Sequence, residues 1–425
     1  MLSQIIILLL FLFSLLHLAR CCLHHRSKRA TVNPAVRFDV MSAAKAVLEP
    51  PKATLQALLT SRAEANQRLR RAFELTNTFV NDDAELHRSF VAQARDLIQA
   101  QSSLPARAAF AEMCSAVISD YISGHVIDGP VYFGDIVQVV TFKVILCSLF
   151  GADLCDLKDE DVLFAARTIN SIWQLSKQPN TTSPPHLLYH LNTLLRGWLP
   201  LYANPLDFII PTYETMWRVV AITIALVHRH GDQALLESFT QFLDNPSRQQ
   251  FQHWSAVGET SVEAVVHEVI RLHPPTRRIS RVASLSHSSG TPSDDRSPSF
   301  FSSIFSLFAV GRQPIQTTTL VADIGALHRN PTIWGSTSTE FDPTRFHPSK
   351  LTDAQKQCIL GFGYGRLKCV AKDWAPHTAA LIAAAVLGAC GPKEEYEIVE
   401  GGAVGGREGW EGWNVVKKEE ELVLV

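Results

Sequence analysis

Cys369 stands in Phe362-Gly363-Tyr364-Gly365-Arg366-Leu367-Lys368-Cys369-Val370-Ala371, a glycine-bearing loop that delivers a lone cysteine to what reads as the start of a helix through Leu387. That arrangement suits a metal ligand. Glycines let the backbone approach a flat group closely, and a helix N-terminus with Arg366, Lys368 and Lys372 alongside favours the thiolate over the thiol. In isolation the same stretch also describes a buried structural cysteine after a glycine-rich turn. Well upstream, Glu268 and Arg271 lie three apart, so on a helix they share a face and can form an ion pair. On an exposed face such a pair is worth only about 0.5 kcal/mol. Glu214 and Thr215 set an acid beside an alcohol, the side-chain types of a proton relay.

These residues need a scaffold, and the sequence supplies a mostly helical one. From about residue 53 to 272 the apolar spacing is helical, as in Leu55, Leu58 and Leu59 and again in Ile136, Val139, Val140 and Val144. Asn204-Pro205-Leu206-Asp207 reads as a helix start, with Asn204 as N-cap and Pro205 at the first helical position. The helix it opens runs through Thr215 to about His230, where Gly231 is a natural stop. Residues 284–314 change to Ser, Gly, Pro and Asp, a flexible surface insertion with an apolar tail from Phe300 to Phe308. Thr317–Val321, Glu397–Val399 and Leu422–Val425 read as strands. The fold class expected is therefore mainly α with small β-sheets.

Composition narrows the partners. With 39 basic and 41 acidic residues the formal net charge is -2, which offers nothing for wrapping nucleic acid. The eight cysteines show no metal-type CxxC pairing and no secreted disulfide framework. Leu2 to Leu18 is almost wholly apolar and is followed at once by Arg20, Arg26, Lys28 and Arg29, so residues 1–29 read as a membrane anchor with a basic stop segment. The positive-inside rule then keeps residues 30–425 on the cytosolic side, and the glycosylation sequon at Asn180 is silent there.

The loop around Cys369 resembles the haem-binding signature of the cytochrome P-450 family, with Phe362, Gly365, Cys369 and Ala371 in comparable places. The family's basic residue two before the cysteine is Leu367 here, which leaves Arg366 or Lys368 to answer the haem propionate. Glu268 to Pro275 resembles the family's ExxR helix, including the Pro-Pro that follows, and Arg345 stands where the third member of that buried network is expected. Pro211-Thr212-Tyr213-Glu214-Thr215-Met216 resembles the oxygen-activating segment of the long central helix, where the acid and threonine relay protons. Thr212 fills the usual glycine position, and Pro211 is expected to kink the helix. Asp82 to His87 resembles the helix whose His reaches a propionate in some relatives, with Arg277 and Arg278 as alternative partners by position.

The resemblance covers about residues 80–425. It implies a haem b enzyme ligated by Cys369, oxidising a lipophilic substrate with dioxygen, with electrons from an NADPH-fed flavoprotein reductase docked on a basic face of Arg366, Lys368 and Lys372. It also implies an anchor at residues 2–18 in the endoplasmic reticulum. The N-terminal sheet region is abbreviated, which implies an unusually open pocket. Two rivals stand beside this: a haem-thiolate isomerase, dehydratase or peroxide-using enzyme that needs no reductase, and a non-catalytic anchored haem protein.

Overall fold

In the chain, helices begin where a short polar side chain precedes an apolar stripe. Thr54, Asp83, Ser103 and Ser261 each accept a backbone N–H of the first turn that follows them. The computed structural model describes residues 36–126, 129–178, 184–230, 232–255, 259–284, 317–392 and 394–419. The apolar run at 2–18, the Asn180 sequon, Gly231, nearly all of the 284–314 insertion and the strand expected at 422–425 lie outside these residues.

In chain order the helices are α1 (Val36–Leu48), α2 (Leu55–Ala65), α3 (Gln67–Phe73), α4 (Ala84–Ala100), α5 (Leu104–His125), α6 (Phe133–Phe150), α7 (Asp159–Leu175), α8 (Pro185–Trp198) and α9 (Leu206–His230). They continue with α10 (Gln233–Asp244), α11 (Arg248–Phe251), α12 (Val262–Leu272), α13 (Ile324–His328), α14 (Pro331–Trp334), α15 (Asp353–Cys358) and α16 (Ala375–Ala389). The core gathers around α9 and α16, which pack on each other and on α5, α6, α10 and α12. Helices α6 and α9 are long and apolar enough to cross a membrane, but both are mostly buried here, as core helices are.

Two small sheets complete the fold. In one, β1 (Val131–Tyr132), β5 (Asn414–Lys417) and β4 (Tyr396–Val399) lie antiparallel in the order β1-β5-β4. In the other, β2 (Arg278–Ser284) pairs with β3 (Thr317–Asp323), from Arg278 opposite Asp323 to Ser284 opposite Thr317. The strand read at 317–321 is thus β3, whereas β2 and β5 carry no signal strong enough to separate them from loop. Among the described residues no strand precedes Val131. Instead α1 lies along β3, burying Met41, Ala44 and Leu48 against Ala322, Ile324 and Leu327.

The start of α9 departs from expectation. Asn204 does not cap it through a side-chain oxygen accepting a first-turn N–H; its Nδ2 donates to the carbonyl of Glu74 at 3.1 Å. The helix also runs unbroken through Pro211. The carbonyl that Pro211 leaves without its helical donor is that of Asp207, and Asn77 Nδ2 donates to it at 2.7 Å. The Asp207 carboxylate in turn accepts from the Thr76 and Asn77 backbone N–H groups, at 2.8 and 3.0 Å, which ties the α9 start to the segment before α4.

Candidate functional site

A cavity of about 1910 Å³ lies between α4, α9, the loop after α12 and the Cys369 loop. Cys369 is exposed to this cavity, with protein packed around its thiol. Burial raises its thiol pKa, against a smaller lowering from the Ala371 N–H. Two expectations change here. Cys369 does not open a helix, because turns at 370–374 separate it from α16. The nearby cations are also engaged elsewhere: Arg366 Nε meets Glu49 at 2.6 Å and Lys372 meets Asp373 at 2.7 Å. Arg366 is thus tied to the segment after α1, and the basic face is partly neutralised. Gly365 has a φ of 69°, and a Cβ there would fall on the Glu49 carboxylate.

The loop rests on α12. Glu268 and Arg271 are both fully buried and doubly bonded, Nε to Oε2 at 2.5 Å and Nη2 to Oε1 at 2.7 Å. Arg345 Nε reaches Glu268 Oε1 at 3.2 Å, and the Asp342 N–H donates to the same oxygen at 3.0 Å. Arg271 Nη1 donates to the carbonyls of His328 and Ser338, both at 2.7 Å. Burial raises the Glu268 carboxyl pKa, opposed chiefly by its bonds to Arg271. Every strong donor and acceptor of the pair is therefore committed, as a buried ion pair requires.

His328, which no sequence motif marks, links this network to the loop. Its Nδ1 lies 3.1 Å from the Arg271 carbonyl and its Nε2 accepts the Leu360 N–H at 3.0 Å, so the neutral tautomer is used on both sides. Burial holds its pKa down at about 4 from 6.5. Because the folded value lies below the unfolded one, its contribution to stability is intact above about pH 6.5 and is lost as pH falls towards 4, by about 3 kcal/mol for the full shift. Thermal unfolding between about pH 7.5 and 4.5 is expected to show that slope, and His328→Gln to flatten part of it. An equal slope in both proteins would remove His328 from the loop's support.

Across the cavity, α9 presents Pro211, Thr212, Thr215, Val219 and Ile222. Thr212 Oγ1 donates to the Phe208 carbonyl at 2.8 Å. Thr215 is half-buried on the cavity wall. Glu214 is buried and held by two guanidinium groups, Arg218 at 3.1 Å and Arg407 in direct contact. Its first duty here is charge neutralisation, a constraint that the sequence pattern of acid and threonine did not reveal.

Helix α4 has an apolar stripe but no buried residue; Phe90, Val91, Ala94, Leu97 and Ile98 face the cavity instead. His87, on the same helix, has Nδ1 2.9 Å from Thr78 Oγ1, and burial followed by the Arg62 charge lowers its pKa. Arg62 and Arg281 are both buried and both line the cavity, and each has an Nε without a hydrogen-bond partner among the described residues. Burial, then repulsion from Arg281, brings the Arg62 pKa down to about 9. Arg278 is exposed and pairs with Asp323 at 3.0 Å, and Arg277 stands beside it on the cavity wall. The sequence points to Arg277 and Arg278 past α12, and singles out neither Arg281 nor Arg62.

These features fit a haem group. A thiol opens on one side, an apolar stripe lies bare for a flat apolar body, and two buried guanidinium groups have donors to spare for carboxylates. Cys369 would hold the iron, with Arg62, Arg281 and His87 at the propionates. Phe362 lines the same cavity, whereas Gly365, Glu268, Arg271 and Arg345 shape the loop from behind.

Comparison with known proteins bears on this fold and this loop. Residues 316–393 match the family model described as cytochrome P-450. Over 86% of this chain and 83% of the other, the fold is similar to the crystal structure of a mutant cytochrome P-450 haem domain, with a TM-score of 0.54 and 17% sequence identity. No curated protein matches the chain in sequence. The Cys369 region is thus similar to the cytochrome P-450 family model, and the fold is similar to that of a cytochrome P-450 haem domain.

Proposed function

We propose that the protein is a haem-dependent monooxygenase of a lipophilic organic molecule, supplied with electrons by an NADPH-fed flavoprotein reductase and anchored by residues 2–18 to the endoplasmic reticulum, with residues 30–425 in the cytosol. The observation that carries this reading is one cavity shared by the open Cys369 thiol, the Thr215 hydroxyl and the unpartnered guanidinium nitrogens of Arg62 and Arg281. When bound, a haem with thiolate ligation supplies activation of dioxygen for insertion into an organic substrate.

The chain's own residues do the rest. Cys369 ligates from a loop fixed by the Glu268–Arg271–Arg345 network and by His328. The apolar wall of α4 and α9 holds substrate and excludes water. Thr215 Oγ1 holds and passes protons into the cavity, while Glu214 keeps Arg218 and Arg407 in place beside it.

Thr215→Ala tests the oxidation step. The variant is expected to keep its haem spectrum and its rate of NADPH use, but to form several-fold less product per NADPH, the difference appearing as hydrogen peroxide. An unchanged ratio would leave Thr215 as an ordinary helix residue. Turnover indifferent to NADPH would place the protein among the isomerases, dehydratases or peroxide-using enzymes instead.

A further inference from the structure

The cavity holds a second group of cations that the haem reading does not use. Arg68 and Arg407 sit over the Trp173 ring, at 5.0 and 4.9 Å from its centroid. Lys177, Arg218 and Arg277 line the same space. Neighbouring members repel: the Lys177 ammonium is pushed down by burial and then by Arg407, Arg68 and Arg218, and Arg218 falls to about 10 through burial and then Arg277. Among the described residues lining the cavity three carboxylates face them, and one, Asp323, is paired with Arg278. Glu214 is shared between Arg218 and Arg407, and Glu408 is exposed. Arg68 has a neutral partner, Ser176 Oγ at 2.6 Å, and Arg277 has no carboxylate partner among the described residues. Lys177 and Arg277 are exposed while Arg68, Arg218 and Arg407 are half-buried, and gathering like charge around the half-buried three is costly unless an anion joins it.

We propose that this group receives the anionic end of the substrate, a carboxylate carried by an otherwise apolar molecule. The proposal rests on the haem-thiolate reading and narrows its substrate class. A carboxylate suits the site because the cluster already receives one: Glu214 bridges Arg218 and Arg407, and guanidinium groups favour such planar oxygen pairs. The apolar remainder has Phe90, Phe208 and Ile222 to lie against in the same cavity. Arg68 and Arg277 are the two free to engage a ligand without releasing Glu214.

Titration calorimetry on the haem-loaded full chain decides it, with dodecanoate and its methyl ester as matched probes. The acid is expected to bind at least about tenfold more tightly than the ester. Arg68→Gln and Arg277→Gln should each narrow that gap, and the double variant should close it, while ester affinity stays the same. Equal binding of the two probes, no heat from the acid, or a preference that survives in the double variant would overturn the proposal. The carbon monoxide spectrum of the same samples separates the two failures. A sample without the thiolate-type band fails the haem reading, and one with that band but no preference for the acid fails this proposal alone.

Discussion

Arg271→Ala is expected to yield a protein that loses haem and folds poorly, rather than a stable protein with reduced turnover. The change removes five donor contacts at once, two to Glu268 and three to the carbonyls of His328, Ser338 and Glu340. It strands the Glu268 carboxylate in a site with no exposure, leaving only Arg345 and the Asp342 N–H to answer it. Breaking a buried pair in this way costs about 3–5 kcal/mol, a large share of the stability of an ordinary domain. Glu268→Ala should behave alike, since it strands Arg271 beneath the Trp334 ring, 4.9 Å from its centroid. Denaturation midpoints and haem content per protein measure both effects. Arg345→Ala should be milder, because Arg345 keeps only one contact to Glu268 and its other donors meet carbonyls near the surface. A normal melting temperature and full haem occupancy in Arg271→Ala would reduce the network to an incidental pair.

How much of this could be read from the sequence depends on how local the determinant is. The helical body, the extent of α9 to His230 and the strand at Thr317 follow from periodicity and β-branched runs, which are local. The spacing of Glu268 and Arg271 fixes a shared helix face, but not that both are fully buried; that comes from the segment 328–345 folding over them. Helix α9 continues through Pro211 with the freed Asp207 carbonyl answered by Asn77, a residue 130 positions away. By position Arg366 suits a propionate or a docking face, and the structure turns it to Glu49, 317 positions distant. Glu214 was read as a relay acid, and the partner that holds it, Arg407, comes from the turn between β4 and β5. Each departure is a long-range pairing of charges or of orphaned backbone groups, which no window of sequence contains.

Cys369 would hold the iron of a haem in the cavity between α4 and α9. The reduced, carbon monoxide-treated protein reports this directly through the position of its Soret band. Wild-type protein is expected to show the long-wavelength band of thiolate ligation, and Cys369→Ser to lose it, with Cys358→Ser as control because Cys358 is buried away from the cavity against Met41. A long-wavelength band that survives in Cys369→Ser, or its absence from haem-loaded wild type, would contradict the account.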